Sequence, residues 1–288
     1  MANPIMVQGT SSGAGKTILV TALCRIFAQD GYSVAPFKSQ NMTANTSILR
    51  NGDEIATSQV LQAHASGIEP DARMNPVVLK PSVDGRGAGI ILNGRPSANV
   101  DSRNMEDIKG ALMDEISKAY NSLAAQYDVI VIEGAGSPVE LNLNKNDIVN
   151  MGVAKLAGAP VLLVSDIDRG GVFASLYGTV ALMDDVDRRY VKGVIVNRFR
   201  GDVAYFSDGI DIIERVTGVP VAGIVPFFQF SLPEEDSLSG PVVSEAPPFG
   251  SGAFEAQLDL VADTVRSSLD MRLVYEILEK KVGVSFDG

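Results

Sequence analysis

Tryptophan is absent from this 288-residue chain, and cysteine and histidine occur once each, as Cys24 and His64. A single cysteine excludes an intrachain disulfide, and with one histidine it also excludes zinc sites of the common Cys/His kind. A Ser-His-Asp or Cys-His nucleophilic centre would have to use His64, and nothing around it in SQVLQAHASG supports that. His64 is expected as a surface or capping residue on a helix, and Cys24, in VTALCRIF, as core.

Positive charge is scarce too. Lys and Arg number 24 against 35 Asp and Glu, for a net charge of -11 and a pI near 4.6. Such a balance argues against nucleic acid as partner, because Lys and Arg supply most non-specific affinity for phosphate. A few oriented N–H groups and one or two lysines still make a local anion site on an acidic protein. No apolar run reaches the roughly 18 residues of a membrane span, and MANPIMVQGT shows no signal-peptide pattern. The expectation is a soluble cytoplasmic protein with no membrane partner.

The composition, 45% hydrophobic and 20% charged, permits a sizeable core. Short apolar runs alternate with longer amphipathic stretches. Residues 5–7, 33–37, 129–132, 161–164, 193–196 and 221–225 read as buried parallel strands, mostly continuous in Val and Ile. Helical patterns cover 16–30, 54–67, 105–126, 147–156, 172–183 and 210–217. This alternation predicts an α/β fold, a doubly wound, mostly parallel sheet flanked by helices. Ligands of such sheets sit at the carboxyl ends of the strands. The expected domain is residues 1–238, followed by a Pro/Gly/Ser-rich linker at 239–252 and a helical tail at 253–288 that docks on it or on a partner.

The segment Gly9-Thr-Ser-Ser-Gly-Ala-Gly-Lys16-Thr17 follows the first strand and opens the first helix. That is the setting a phosphate-binding P-loop requires, so the fold is predicted as a P-loop NTPase. Thr10 stands where the first glycine is usually written, five residues separating Gly9 from Gly15. Thr10, Gly13 and Gly15 would wrap phosphate with backbone N–H groups, Lys16 would reach the β- and γ-phosphates, and Thr17 would ligand Mg²⁺. ATP and Mg²⁺ are therefore the expected cofactors. Position 11 is serine, where MinD/ParA ATPases carry a signature lysine, so their dimer-switching mechanism finds no support.

Other candidates end strands. Glu133 closes VIVIE, where a Walker B-type Mg²⁺ ligand belongs; a capping glutamate is the alternative. Lys38, in PFKSQNMTAN, would stabilise transferring charge, or is a surface lysine. Gln40, Asn41 and Asn45 would bind amide or carboxylate groups of substrate. Asp166 and Arg169, in SDIDRGGVFAS, open a helix and form a candidate anion or substrate site. Asn197, in NRFRGD, is placed to read a purine edge. These last two segments could equally be ordinary loop chemistry. The acids Glu234, Glu235 and Asp236 read as a solvated turn.

Together GTSSGAGKT, FKSQNMTANT, MNPVVLKP, EGAGSPVELNL, DIVNMGVAKLAGAPVLLVSDIDRGGVFASLYGT, VKGVIVNRFRGD, VPVAGIVPF and LPEEDSL resemble the synthetase domain of the cobyric acid synthase family. Cobyrinic acid a,c-diamide synthase and dethiobiotin synthetase share only the loop pattern closely. The resemblance implies an amidoligase that phosphorylates a corrinoid carboxylate with ATP and displaces the phosphate with ammonia. It implies Lys16 and Lys38 on the transferring charge, Thr17 and Glu133 on Mg²⁺, and Gln40, Asn41, Asn45 and residues 166–171 facing substrate. The family continues into a glutaminase domain of about two hundred residues with a Cys nucleophile. Here a linker and a tail resembling the family's last helix stand instead, so ammonia is expected from solution or from a separate glutaminase subunit. A homodimer is left open. In DGRGAGIILNGRP, Ala88, Gly89 and Ile90 replace the family's Ser-Gln-Val strand, which bears on substrate more than on nucleotide. The competing readings are a dethiobiotin synthetase-type enzyme and a nucleotide-binding regulatory or scaffolding protein without catalysis.

Overall fold

The structure is a computed structural model that describes residues 2–81, 87–100, 105–141, 147–233, 246–280 and 282. The acids Glu234, Glu235 and Asp236, the first half of the expected linker and the end of the expected tail lie outside the described residues.

Six strands form the central sheet: β1 (Asn3–Gly9), β2 (Val34–Phe37), β9 (Val129–Glu133), β10 (Val161–Asp166), β11 (Val191–Phe199) and β12 (Val221–Pro226). All pair in parallel, in the order β12-β11-β10-β1-β9-β2. Each of the six expected runs is one of these strands. Both faces are covered, which explains why the runs are continuously apolar rather than alternating. Ile5 and Val7 face one core with α1 (Lys16–Gln29), while Met6 faces the other with α3 (Met105–Ala124), α4 (Met151–Ala157), α5 (Val172–Leu182) and α7 (Ser207–Thr217). The short α6 (Asp185–Arg188) leads into β11.

The C-terminal helices α8 (Gly252–Ser268) and α9 (Met271–Glu279) belong to the first core, through Phe254, Leu258, Val261, Val274 and Ile277. Arg25 of α1 pairs with Asp259 at 2.8 Å and Glu255 at 3.0 Å. At the C-cap of α1, Asp30 accepts from Arg266 at 2.9 Å and from Tyr275.

A second sheet, β3 (Gln40–Met42), β6 (Val77–Pro81), β7 (Ala88–Leu92) and β8 (Arg95–Val100), grows from the end of β2. The Ala-Gly-Ile segment is thus still a strand. β4 (Thr46–Ile48) and β5 (Glu54–Ala56) form a hairpin.

Three helix starts differ from expectation, α7 beginning at Ser207 rather than at residue 210. Residues 54–56 are strand, because Glu54 is tied across the hairpin to Thr46 and to Lys80, and α2 runs only from Thr57 to Ala65. Residues 147–150 form a turn, because the Asp147 carboxylate takes the N–H groups of Val149, Asn150 and Gly152. Side chain–backbone bonding of this kind competes with helix. His64 is half-buried in the last turn of α2, where it stacks on Phe249 at 5.1 Å and meets Phe254 edge-on at 5.8 Å. Cys24 is wholly buried, as expected.

Candidate nucleotide and carboxylate site

β1 delivers the loop at Gly9, and the loop turns into α1 through residues that need glycine. Gly13 and Gly15 have φ of 73° and 94°, the left-handed region that favours glycine. A Cβ on Gly15 would stand 2.1 Å from Asn197 Nδ2, and one on Gly9 would stand 2.9 Å from the Ser11 carbonyl. The loop is therefore a cradle whose glycine positions must stay bare, open at the N-terminus of a 14-residue helix. That is the geometry an anion requires.

Lys16 is buried and donates to the carbonyls of Ser11 at 3.0 Å and Gly136 at 3.2 Å. Thr10 joins the loop to β10: its N–H bonds the Val164 carbonyl, and its hydroxyl shares a hydrogen bond with Ser165 at 3.0 Å. Glu133 ends β9 beside it, 1% exposed. Its Oε1 accepts from Thr17 Oγ1 and from Lys38 Nζ, each at 2.9 Å. A buried carboxylate needs such donors. The three chain segments thus converge on one carboxylate group, and the capping and surface alternatives for Glu133 and Lys38 do not describe them.

A cleft of about 380 Å³ opens over this cluster, walled by Gly15, Lys16, Thr17, Lys38 and Asn41 on one side and Gly134 to Gly136 on the other. Of the expected substrate residues only Asn41 lines it. Gln40 is half-buried at the start of β3, and exposed Asn45 accepts from the Thr57 hydroxyl in the hairpin. Asp166 is bound by Arg198 at 2.9 Å. Arg169 is exposed, with Nη2 3.9 Å from where a Gly13 Cβ would stand. Asn197 donates to the Ala14 carbonyl at 2.9 Å and so braces the loop. It also lines a second cleft of about 630 Å³ that shares Gly15, Ile18, Arg198 and Phe230 with the first and continues to Phe227. Arg200 touches two of its lining residues. It stacks 3.6 Å above Phe227 and binds Asp168, whose carboxyl it holds below the usual range.

Sequence reasoning missed three contributors. Gln62 of α2 donates to Glu133 Oε2 at 2.5 Å; two glutamines, 59 and 62, on the buried face of an apolar helix were the available signal. Asn150 accepts from the Ala135 N–H at 3.1 Å and donates to its carbonyl at 2.6 Å, clamping the turn that carries Gly136. Arg198 holds a left-handed φ of 58° between the two clefts, and no sequence pattern marks it. Among the described residues no group of three His, Cys, Asp or Glu gathers as a metal cluster, and no helix is long and apolar enough to cross a membrane.

The model of the CobQ/CobB/MinD/ParA nucleotide binding domain matches residues 5–237. The chain belongs to this family. As a member of it, the chain is a P-loop NTPase domain with a mostly parallel central sheet. It is 55% identical to the cobyric acid synthase of Streptococcus sanguinis over 239 residues, 83% of this chain and 48% of that protein. It is 54% identical to that of Yersinia enterocolitica, over 82% of this chain and 46% of the relative. The chain thus spans about half the length of the curated relatives it matches. Among solved structures, it is similar to the MinD cell division protein of Aquifex aeolicus, with TM-score 0.45, 16% identity, and 93% and 98% of the two chains covered. It is also similar to the signal recognition particle receptor FtsY of Elizabethkingia anophelis in complex with GDP, with TM-score 0.45, 18% identity, and 78% and 57% covered.

Proposed function

We propose that this nucleotide-binding domain is an ATP-dependent amidoligase that activates a peripheral carboxylate of a corrinoid and converts it to a carboxamide. The observation that carries the reading is Glu133, buried at the mouth of the P-loop and held by Thr17 and Lys38. A nucleotide-binding scaffold has no need of a second buried lysine there. An enzyme that gathers negative charge on a transferring phosphoryl group does.

The residues fit Mg-ATP. The glycine cradle and the start of α1 would hold phosphate, Lys16 the terminal phosphates, and Thr17 with Glu133 the Mg²⁺, which supplies charge neutralisation when bound. In the first half-reaction a substrate carboxylate oxygen bonds to the γ-phosphorus as the bridging P–O bond breaks, releasing ADP. In the second, ammonia adds to the acyl carbon, phosphate leaves and the nitrogen sheds a proton. Lys16 and Lys38 balance charge through both, and no side-chain nucleophile is needed. Asn41 at the cleft wall, with Gln40, Asn45, Asp166 and Arg169 further out, would contact the acid, and the cleft at Asn197 would take the base. All of these residues fall within 1–238, and the helical segment that follows buttresses α1.

The test is ADP release by the purified protein with Mg-ATP and ammonium, with and without a cobyrinic acid diamide, with products read by mass. Stimulated release with conversion of acid to amide is expected. ATP binding without stimulation would overturn the reading and favour a regulator or a different acid.

A further inference from the structure

Helix α2 buries more polarity than a structural helix needs. Ser58, Gln59 and Gln62 are 3%, 0% and 0% exposed, and buried amides cost stability unless fully bonded. Apolar side chains would pack there at lower cost. Their hydrogen bonds form one continuous line. Asn41 Nδ2 donates to Ser58 Oγ at 3.2 Å, and Ser58 Oγ donates to Gln59 Oε1 at 3.1 Å. Gln59 Nε2 then donates to Gln62 Oε1 at 3.1 Å, and Gln62 Nε2 to Glu133 Oε2 at 2.5 Å.

Every step donates in the same sense, from the wall of the cleft toward Glu133. Bonds aligned this way polarise one another and strengthen the last. An amide suits each relay position because it accepts at one end and donates at the other. At Glu133 the two oxygens are divided: Oε1 takes Thr17 and Lys38, and Oε2 takes Gln62. Each of these partners donates, so the carboxylate cannot rotate without losing a hydrogen bond.

We propose that Gln62 and Gln59 are positioning residues that fix the Glu133 carboxylate as a metal ligand, and that the relay ties this orientation to Asn41 at the cleft. Groups that orient a metal ligand from behind typically change metal affinity by about 10- to 100-fold when removed. The inference rests on the nucleotide site proposed above but not on the identity of the acid.

The experiment is ADP binding by calorimetry across a Mg²⁺ titration, in the unsubstituted protein and in Gln62→Met, Gln59→Met and Asn41→Ala. Gln62→Met should raise the Mg²⁺ needed for half-maximal enhancement of ADP binding by about 10- to 100-fold. Gln59→Met and Asn41→Ala should shift it the same way by less, although neither touches Glu133. ADP affinity without Mg²⁺ should stay the same in the unsubstituted protein, Gln62→Met and Gln59→Met, a split that general loosening of the fold would not give. Unchanged Mg²⁺ dependence in Gln62→Met, or equal losses with and without Mg²⁺, would overturn the proposal. If Gln62→Met does not fold, Gln59→Met decides alone: an unshifted titration overturns the relay. Failure of amidation with a corrinoid would leave this test intact, whereas absence of Mg²⁺-dependent ADP binding in the unsubstituted protein would sink both.

Discussion

Lys38 Nζ lies 2.9 Å from Glu133 Oε1 in an ion pair whose side chains are 5% and 0% exposed. The pair joins the ends of two neighbouring strands, β2 and β9, and both members face the mouth of the P-loop. Removing one partner strands the other's charge in the interior, at a cost of about 3–5 kcal/mol. Lys38→Met and Glu133→Gln should therefore each lower stability in urea by amounts of that order. The double variant should lose less than the sum. A sum that is simply additive would mean that the pair is not coupled in solution.

Gly15 is held at φ 94° with no room for a Cβ. Gly15→Ala should cost about 1–3 kcal/mol in backbone strain and abolish nucleotide binding by pushing Asn197 off the Ala14 carbonyl. Adding Asn197→Ala should recover part of the stability and none of the binding. Calorimetry with ADP alongside thermal denaturation measures both.

Cys24 is chemically silent while the protein is folded. Burial pushes its thiol up to about 12, so almost no thiolate forms at mildly alkaline pH, and the thiolate is the reactive species. Alkylation by iodoacetamide should be negligible in the native protein and should follow the fraction unfolded in denaturant. Fast modification without unfolding would contradict the packing of α1.

Asp30 ties α1 to both C-terminal helices. The Arg266 hydrogen bond, helped by Tyr275, holds its carboxyl below the usual carboxylate range. A depressed folded-state value adds stability above the unfolded value of about 3.9, and this is lost as pH falls through the folded value. Asp30→Asn should thus destabilise the protein at neutral pH and make little difference in strong acid. Denaturation midpoints against pH for both proteins will show whether the curves converge below about pH 4.

The central sheet was legible because parallel strands covered on both faces read as unbroken Val and Ile runs, and every one of the six runs is a strand. The P-loop and Glu133 were legible for a related reason: a phosphate site at strand ends leaves glycines and charge at fixed positions. The second sheet was not legible from periodicity. Its strands are short, and β5 reads into a helical pattern until Glu54 is seen bonded to Lys80. Long-range pairing of that kind has no local signature. Asn150 and Gln62 escaped because each acts on another residue's backbone or carboxylate, 15 and 71 positions away in sequence. The stacking of His64 was not legible because its partner Phe249 comes from a segment without periodicity.

The account turns on carboxylate activation by ATP, and isotope transfer tests that most directly. A cobyrinic acid diamide labelled with heavy oxygen in its carboxylates should be incubated with Mg-ATP, ammonium and the protein, and the inorganic phosphate analysed by mass spectrometry. One heavy oxygen in each phosphate released is the predicted result, because the acid oxygen that bonds to phosphorus leaves with it. Unlabelled phosphate from an active preparation would contradict carboxylate activation and mark the site as a simple ATPase.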